Sequence, residues 1–394
     1  MTSWRVQLTP ATRAACTWYE IGFDVPVGPG AFTISMEYDR SSGAVIDLGC
    51  AGPQGFRGWS GGARSSFSIT DDRATPGYLP GVVAGEWRVI LGQHRVPVDL
   101  EVLVTLTWLD TVPAAGPVIG ASVERPVRPD LPEVDGMRWL AGDFHCHTVH
   151  SDGQHTIDEV AGMAAEAGLD FLAVTDHNTV SHHAFLVAAS ERSGVLLIPG
   201  QEVTTWRGHA NAFGDIGWID FREPADNWIR SVDDRGGLLS LNHPVSGDCS
   251  WRQPLTRRPH LVETWHSSWV DRTSGAPLAF LLAGFPDATP IGGADFHGRG
   301  SDAPPGHPTT WVLTSGDDVL GGLRAGRTSI SAGPGAPLLL RCGEEFLVIG
   351  GDGLLLATPE GRRTVVSGSR VLLPAGPGLT WLEDAHTAVQ AISS

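Results

Sequence analysis

Between residues 137 and 330, apolar runs of strand length alternate with longer stretches that have the periodicity of helices. Alternation of this kind is typical of βαβ units, which build a parallel sheet with helices packed on it. The predicted helices cover residues 156–168, 181–194, 227–237, 276–285 and 317–327. Thr156, with Glu159 three residues later, has the spacing of a capping box at the start of the first helix. We therefore predict an α/β domain here. If its sheet closes into a barrel, its functional side chains should lie at the C-terminal ends of the strands.

The regions on either side lack this alternation. Residues 1–135 contain strand-like runs separated by turns rich in glycine and proline, which predicts an N-terminal β-sandwich. Residues 331–394 return to short apolar runs such as EFLVIG and GLLLAT, which predicts a C-terminal β-rich region. We therefore place the domains at 1–135, 136–330 and 331–394.

Charge and composition exclude several classes of protein. The net charge is −17, so we expect no extended nucleic-acid surface and no anionic-membrane surface. The chain contains no lysine, which excludes Schiff-base catalysis and a carboxylated lysine that bridges two metals. No 18-residue apolar run and no secretory signal are visible, so we expect no membrane span and a cytoplasmic location. The five cysteines are scattered and predict no disulfide framework.

Histidine and acidic residues follow several of the predicted strands. Thirteen of the fifteen histidines lie between His145 and His307. The segment GDFHCHTVHSDG (142–153) is matched far along the chain by GGADFHG (292–298). Imidazole and carboxylate are ligands that suit zinc, manganese and iron. The candidate metal ligands are His145, His147, Asp152, His177, Glu202, His209, His243, Asp295 and His297.

Each candidate also has a plainer interpretation. His145 and His147 can share one strand face, with Cys146 turned away, or can form a surface pair. Asp152 is a ligand or an ordinary turn aspartate. Glu202, buried at a strand end, is either a carboxylate that bridges two cations or the partner of an arginine such as Arg207.

The remaining histidines leave similar choices. A lone strand-end histidine such as His209 or His243 is more often a hydrogen-bonded core residue than a ligand. Asp176 or His177 should face the site while the other fixes the turn, and we predict His177 as the ligand. We expect His150 and His155 to be solvated loop or helix-start residues, and His182 and His183 to have exposed or capping roles at the start of a helix.

Taken in order, these motifs resemble the PHP (polymerase and histidinol phosphatase) family over roughly residues 137–330. Within it, TDHN, LNHP and GLRAGRTSISAGP look most like the carbaryl-hydrolase (CehA/McbA) branch. The resemblance implies a distorted, TIM-like (β/α)7 barrel with two or three divalent ions (Zn, Mn or Fe). One ion would take His145, His147, Glu202 and Asp295, a second Glu202, His209 and His243, and a third Asp152, His177 and His297. His266 departs from the branch, which usually has asparagine there.

The predicted reaction is hydrolysis by a hydroxide that two cations share. Asp295 is the predicted proton acceptor, and Glu202 and His297 complete the catalytic set. The predicted substrate contacts are Arg207, Arg299, His266 and Trp265. We favour a phosphoesterase acting on a small phosphate ester or nucleotide. A carboxyl-ester or carbamate hydrolase and a non-catalytic metal-binding scaffold are the alternatives. The substrate, the native metal and the oligomeric state stay open.

Overall fold

The computed structural model describes residues 1–28, 30–109, 125–269, 275–298, 300 and 303–394. Contacts between residues divide the chain into two compact units. Among the described residues, the first unit contains 1–28, 30–109, 148–154 and 176–184, and the second contains the rest. The first unit thus includes two short loops that lie far along the chain from its sheets.

The first unit is built from antiparallel strands. They are β1 (Thr2–Leu8), β2 (Trp18–Val25), β3 (Ala31–Tyr38), β4 (Val45–Gly52), β5 (Gly55–Trp59), β6 (Ser66–Thr70), β7 (Gly85–Arg95) and β8 (Leu100–Trp108). Helix α1 (Pro10–Ala15) and the 3-10 turn Arg40–Ser42 join some of them. One sheet has the order β1-β8-β3-β6 and the other β2-β7-β4-β5.

The two sheets share one apolar core. Val102 and Val104 of β8 are buried while Glu101 is exposed, as expected for strands with one face in the core. Val89 of β7 belongs to the same cluster. The ring of Phe32 meets that of Trp87 at 5.1 Å in an edge-to-face arrangement. Buried and exposed residues therefore alternate along β8, as in a strand with one face in a core.

The second unit contains the remaining strands and helices, except residues 183–184 at the start of one helix, which belong to the first unit. Its first elements are β9 (Arg138–Asp143), α2 (Ile157–Glu166), β10 (Phe171–Val174), α3 (His183–Ser193), β11 (Leu196–Thr205), β12 (Gly208–Phe213), α4 (Ala225–Asp234) and β13 (Leu238–Leu241). They are followed by the 3-10 turn Gly247–Cys249, β14 (Leu261–His266), the 3-10 turn Ser267–Trp269, α5 (Gly275–Gly284), β15 (Thr289–Gly293), β16 (Thr309–Thr314) and α6 (Val319–Arg324). Each helix predicted from the sequence is therefore present, with slightly shifted ends.

Four strand pairs of this unit are parallel, as the alternation predicted for residues 137–330. β9, β10 and β11 pair in parallel, as do β13, β14 and β15, while β12 runs antiparallel between the two groups. Helix α2 connects two parallel strands and begins with the predicted capping box of Thr156 and Glu159. β16 pairs antiparallel with β9, and Gly292 N of β15 donates to Thr310 Oγ1 of β16 at 2.8 Å. The unit is therefore a mixed α/β structure.

The C-terminal region is rich in sheet. Its strands are β17 (Thr328–Ser331), β18 (Leu338–Cys342), β19 (Glu345–Ile349), β20 (Leu355–Ala357), β21 (Arg363–Val365), β22 (Arg370–Pro374), β23 (Thr380–Glu383) and β24 (Val389–Ser393). Strands β9 to β16 belong to one 13-stranded sheet, which five of the C-terminal strands extend in the order β16-β17-β24-β23-β20-β21. The other three C-terminal strands form a separate sheet. Among the helices that the structure describes, none has the length and apolar character needed to cross a membrane.

Candidate metal centre

His145 and His147 lie just beyond the end of β9, and both side chains are fully buried. Their segment runs beside the one that carries Asp295, because His147 N donates to Phe296 O at 2.9 Å. Nε2 of His145 lies 3.1 Å from Asp295 Oδ1, and Nε2 of His147 lies 2.9 Å from the same oxygen. Cys146, between the two histidines, packs in an apolar cluster. Both imidazoles therefore face one carboxylate oxygen, as the i, i+2 spacing predicted.

Glu202 is buried on β11 among four of the candidate histidines. Its Oε1 lies 3.2 Å from His145 Nε2, 3.2 Å from His209 Nδ1 and 3.4 Å from His243 Nε2. Its Oε2 faces His147 Nε2 at 3.6 Å. Oε1 thus faces His145, His209 and His243 while Oε2 faces His147, and the bridging role of Glu202 stays a prediction.

His209 and His243 reach Glu202 from the two neighbouring strands. On the β11–β12 hairpin, Thr204 pairs with His209, so His209 lies diagonally from Glu202 on one face of the sheet. His243 follows β13 and has a positive φ of 28°. The imidazole rings of His209 and His243 are 5.0 Å apart. Both histidines therefore lie beside Glu202, and their role as metal ligands stays a prediction.

Asp295 and His297 follow β15. Asp295 has a φ of 53°, a left-handed conformation, and its side chain is 21% exposed. Nδ1 of His297 bonds to the carbonyl oxygen of Asp295 at 2.8 Å, and its ring stacks on His147 with centroids 4.2 Å apart. Gly293 permits this crowding, because a Cβ at that position would lie 2.4 Å from His145 Cβ and 2.6 Å from Glu263 Oε1.

The electrostatics of the cluster suit a cation. Burial alone would lower the pKa of His145, but the negative charges of Asp295, Glu263 and Glu202 raise that pKa well above its ordinary value. Burial alone would raise the pKa of Asp295, whereas His145 and His147 hold it well below its ordinary value. Nε2 of His145 is buried between two carboxylate oxygens without a hydrogen bond from any described residue. A divalent ion bound by these nitrogen and oxygen donors would satisfy that atom.

Two buried carboxylates at this site were missed by the sequence analysis. Glu263 on β14 lies with Oε1 2.9 Å from His145 Nδ1, and its Oε2 accepts from His243 N at 2.6 Å. Asp143 accepts backbone N–H groups of His145, Ala294 and Gly306. Burial raises the pKa of Asp143 to about 6. Both residues support the ligands, and the available signal was an acidic residue inside an otherwise apolar strand.

His266 lies beside Asp295 at the end of β14. Its Nε2 is 3.1 Å from Asp295 Oδ2, and its Nδ1 accepts from Ser268 N at 3.2 Å. Because Nδ1 is the acceptor, Nε2 carries the hydrogen and donates to the carboxylate. A register shift between Glu263 and Trp265 breaks the strand alternation, so that Glu263 and His266 both face the ligands.

The other predicted substrate contacts are placed differently. Trp265 is only 1% exposed and packs in an apolar cluster with Val262 and Leu278, so its predicted substrate contact is not supported. Arg207 lies at the tip of the β11–β12 hairpin, where its guanidinium donates to Arg252 O at 3.0 Å. Arg299 lies outside the described residues.

The first unit holds the two remaining ligand candidates. Nε2 of His177 lies 3.6 Å from Asp152 Oδ1. Asp176 is fully buried and accepts from Thr148 N at 2.8 Å and from Ser151 Oγ at 2.7 Å. Asp176 therefore fixes the turn beside His177, in the division of roles expected from the sequence.

Two neighbouring histidines correct the sequence analysis. His182 is buried with its Nδ1 3.2 Å from Asp176 Oδ2, and His150 is buried with its Nδ1 2.7 Å from Ser181 Oγ. We expected both in exposed or capping positions. The correction has a physical cause, since sheets of the first unit cover these loops through contacts remote in sequence.

Residues 143–265 match the PHP domain family model. This segment contains seven of the nine ligand candidates and ends before Asp295 and His297. The family match therefore covers the segment that brings His145, His147, Glu202, His209 and His243 together.

Curated relatives match over shorter segments. The chain is 36% identical over 64 residues to a phosphoribosyl 1,2-cyclic phosphate 1,2-diphosphodiesterase of Eggerthella lenta, covering 16% of this chain and 24% of that protein. It is 38% identical over 84 residues to a 3',5'-nucleoside bisphosphate phosphatase of Chromobacterium violaceum, covering 21% and 29%. The chain thus spans about a quarter of the length of these relatives. Both are named for phosphate esters, and the carbaryl-hydrolase branch stays a prediction.

Among solved structures, the chain is similar to a two-domain protein from Bacteroides vulgatus. That protein is described as containing a predicted PHP-like metal-dependent phosphoesterase. The TM-score is 0.44 at 18% identity, over 69% of this chain and 92% of that one.

Proposed function

We propose that this protein is a metal-dependent phosphoesterase that acts on a small phosphate ester or on the end of a nucleotide. The observation that carries the proposal is the convergence of His145, Glu202 and Asp295, with His145 Nε2 buried 3.2 Å and 3.1 Å from the two carboxylates. The names of the curated relatives and the PHP match support the reaction class.

The contacts support the metal-holding roles that the resemblance implies. His145, His147, Glu202 and Asp295 would hold one ion, and Glu202 with His209 and His243 a second. The third set implied by the resemblance, Asp152, His177 and His297, stays a prediction. Zinc, manganese or iron bound here would lower the pKa of water and would stabilise negative charge on a phosphate.

The exposure of each carboxylate indicates whether it can exchange a proton with solvent. Asp295 is partly exposed and its pKa is held low by His145 and His147, despite burial that acts to raise it, so it is ionised and can accept a proton. His266 holds Oδ2 of Asp295, which leaves Oδ1 directed at His145 and His147. Glu202 is fully buried and therefore suits a bridging role better than proton exchange with solvent.

We propose that strands β9 to β16 of the second unit form the distorted (β/α)7 barrel that the resemblance implies, and that the domains are residues 1–135, 136–330 and 331–394. Six of its strands run in one direction, which supports the proposal. The contact of Gly292 with Thr310 joins β15 to β16 and would close the ring of strands. Metal ligands would then lie at the C-terminal strand ends.

The first test compares three substrates with the manganese-loaded protein: p-nitrophenyl phosphate, bis(p-nitrophenyl) phosphate and 1-naphthyl N-methylcarbamate. The Glu202→Gln variant removes the bridging charge at nearly constant size. Glu344→Gln makes the same change at an exposed turn and is the matched control. We expect phosphate-ester hydrolysis that Glu202→Gln abolishes and that the control retains.

Each other outcome points to a different function. Hydrolysis of the carbamate alone would replace the phosphoesterase proposal by the carbaryl-hydrolase alternative. Stoichiometric manganese binding without turnover of any substrate would support the scaffold. Failure to bind manganese, zinc or iron would reject the metal centre itself.

A further inference from the structure

Arg64 of the first unit contacts the loop that carries Asp152. Its guanidinium donates to Ser151 O at 3.0 Å and to Val149 O. These two carbonyls belong to residues 148–154, which we call the aspartate loop. Arg64 is half-buried, and its planar guanidinium bonds two carbonyls of the loop at once. An arginine of the loop between β5 and β6 thus bonds within one residue of a candidate ligand.

Gly77 contacts the second loop, residues 176–184, which carries His177 and is called here the histidine loop. Gly77 N donates to Ser181 Oγ at 3.0 Å, and Thr179 Oγ1 donates to Gly77 O at 2.9 Å. Gly77 has a φ of 98°, and a Cβ there would lie 2.8 Å from His150 O and 2.9 Å from Trp59 O. Both the conformation and the space therefore require glycine.

The two loops are also joined to each other. Asp176 of the histidine loop accepts from Thr148 N at 2.8 Å and Ser151 Oγ at 2.7 Å of the aspartate loop. His150 bonds to Ser181 at 2.7 Å. Buried polar groups paired in this way hold a unique geometry, because each broken bond leaves an unsatisfied partner.

We infer that two loops of the first unit form a clamp, in which Arg64 and Gly77 hold the aspartate and histidine loops so that Asp152 and His177 face one another as a ligand pair. The inference deepens the proposed function and rests on it for the role of the two ligands. The 3.6 Å between His177 Nε2 and Asp152 Oδ1 is the distance that the clamp maintains. Arg64 and Gly77 are positioning residues, since neither is proposed to touch metal or substrate.

The test uses the full chain loaded with manganese. Arg64→Gln should increase amide hydrogen exchange in both loops and weaken manganese binding about 10–100-fold at the site of Asp152 and His177. Arg64→Lys, which keeps the charge, should recover part of both. Asp152→Asn defines which manganese ion is lost. Arg13→Gln is the matched control, because Arg13 donates to the carbonyls of Gln93 and His94 at 3.1 Å and 2.9 Å.

Gly77→Ala provides a second, independent variant. Gly28→Ala is its control, because Gly28 has a φ of 122° in the same unit and no atom within 4 Å of the added methyl group. We expect Gly77→Ala, and not Gly28→Ala, to repeat the effects of Arg64→Gln on exchange and manganese binding.

The two proposals fail in different ways. Unchanged loop exchange and manganese affinity in both Arg64→Gln and Gly77→Ala would overturn the clamp. If Asp152→Asn itself leaves manganese binding unchanged, the predicted role of that ligand pair is wrong, and loop exchange alone decides the clamp. If Arg13→Gln weakens manganese binding as much as Arg64→Gln does, the loss reflects the general stability of the first unit. That result would also overturn the clamp.

Discussion

Oε1 of Glu263 lies 2.9 Å from Nδ1 of His145, and both side chains are buried. In the neutral imidazole, this contact places the hydrogen on Nδ1 and the lone pair on Nε2. Nε2 is the atom that faces Glu202 and Asp295. A carboxylate behind a ligating histidine fixes the ring and increases its basicity. Glu263 therefore prepares His145 to bind a cation.

Replacing Glu263 by glutamine should weaken metal binding. Glu263 accepts from two donors, His145 Nδ1 through Oε1 and His243 N through Oε2. The glutamine amide has a single oxygen, so it can accept from only one of them, and its NH₂ group then faces the other N–H donor. We expect manganese affinity to fall about 10–100-fold. Titration with manganese, with Glu344→Gln as control, measures the effect. Equal affinities of the two variants would contradict this role of Glu263.

His266→Ala should affect turnover more than metal binding. The variant removes the hydrogen bond to Asp295 Oδ2, while Oδ1 still faces His145 and His147. A hydrogen bond to a charged group contributes about 1.5–3 kcal/mol, so we expect kcat to fall roughly 10–100-fold. Steady-state hydrolysis of an aryl phosphate and a manganese titration separate the two effects. A loss of manganese as large as that of Asp295→Ala would instead make His266 part of the metal site.

Local sequence patterns predicted much of the fold. The five helices of the second unit were predicted from periodicity, and Thr156 and Glu159 form the capping box that their spacing indicated. Pairing between β16 and the C-terminal strands was not predicted, because it depends on contacts between residues far apart in the chain. Strand-like runs indicate that a sheet forms but do not specify its neighbours.

The candidate site shows the same limit. His145 and His147 were predicted as a pair because i, i+2 spacing places both on one strand face. Glu263 was missed because the register shift after it breaks the period that would align it with His266. His150 and His182 were misplaced because their burial depends on contacts of their loops within the first unit. Interactions within a strand are thus visible in the sequence, and those that depend on bulges or distant segments are not.

The stability of the metal-free protein should fall as the pH rises above 6.5. His145 has a raised pKa because three carboxylates outweigh its burial, so its contribution is full below its ordinary value of 6.5 and is lost as the pH rises through the raised value. Asp143, whose pKa burial raises from 3.8 to about 6, contributes in the same direction at lower pH. Metal binding requires neutral His145, so manganese affinity should rise over the same range.

Thermal unfolding with and without manganese, from about pH 6.5 to about pH 8.5, measures both trends. The increase in melting temperature caused by manganese should grow with pH. In His145→Asn the pH dependence of the metal-free protein should be reduced. A metal-free protein that becomes more stable across this range would contradict the assigned charges.

Gly293→Ala should disrupt the metal centre although it adds a single methyl group. That group would lie 2.4 Å from His145 Cβ and 2.6 Å from Glu263 Oε1, closer than real contacts allow, so His145, Glu263 or β15 must shift. We expect manganese affinity to fall about tenfold or more, as for loss of a residue that supports a ligand. Gly284→Ala in α5 is the matched control, because its methyl group meets no atom within 4 Å. A helix glycine replaced by alanine gains stability or stays neutral, so the control should keep full affinity. If Gly293→Ala binds manganese as tightly as Gly284→Ala, the close packing of β15 against His145 is not needed to form the site.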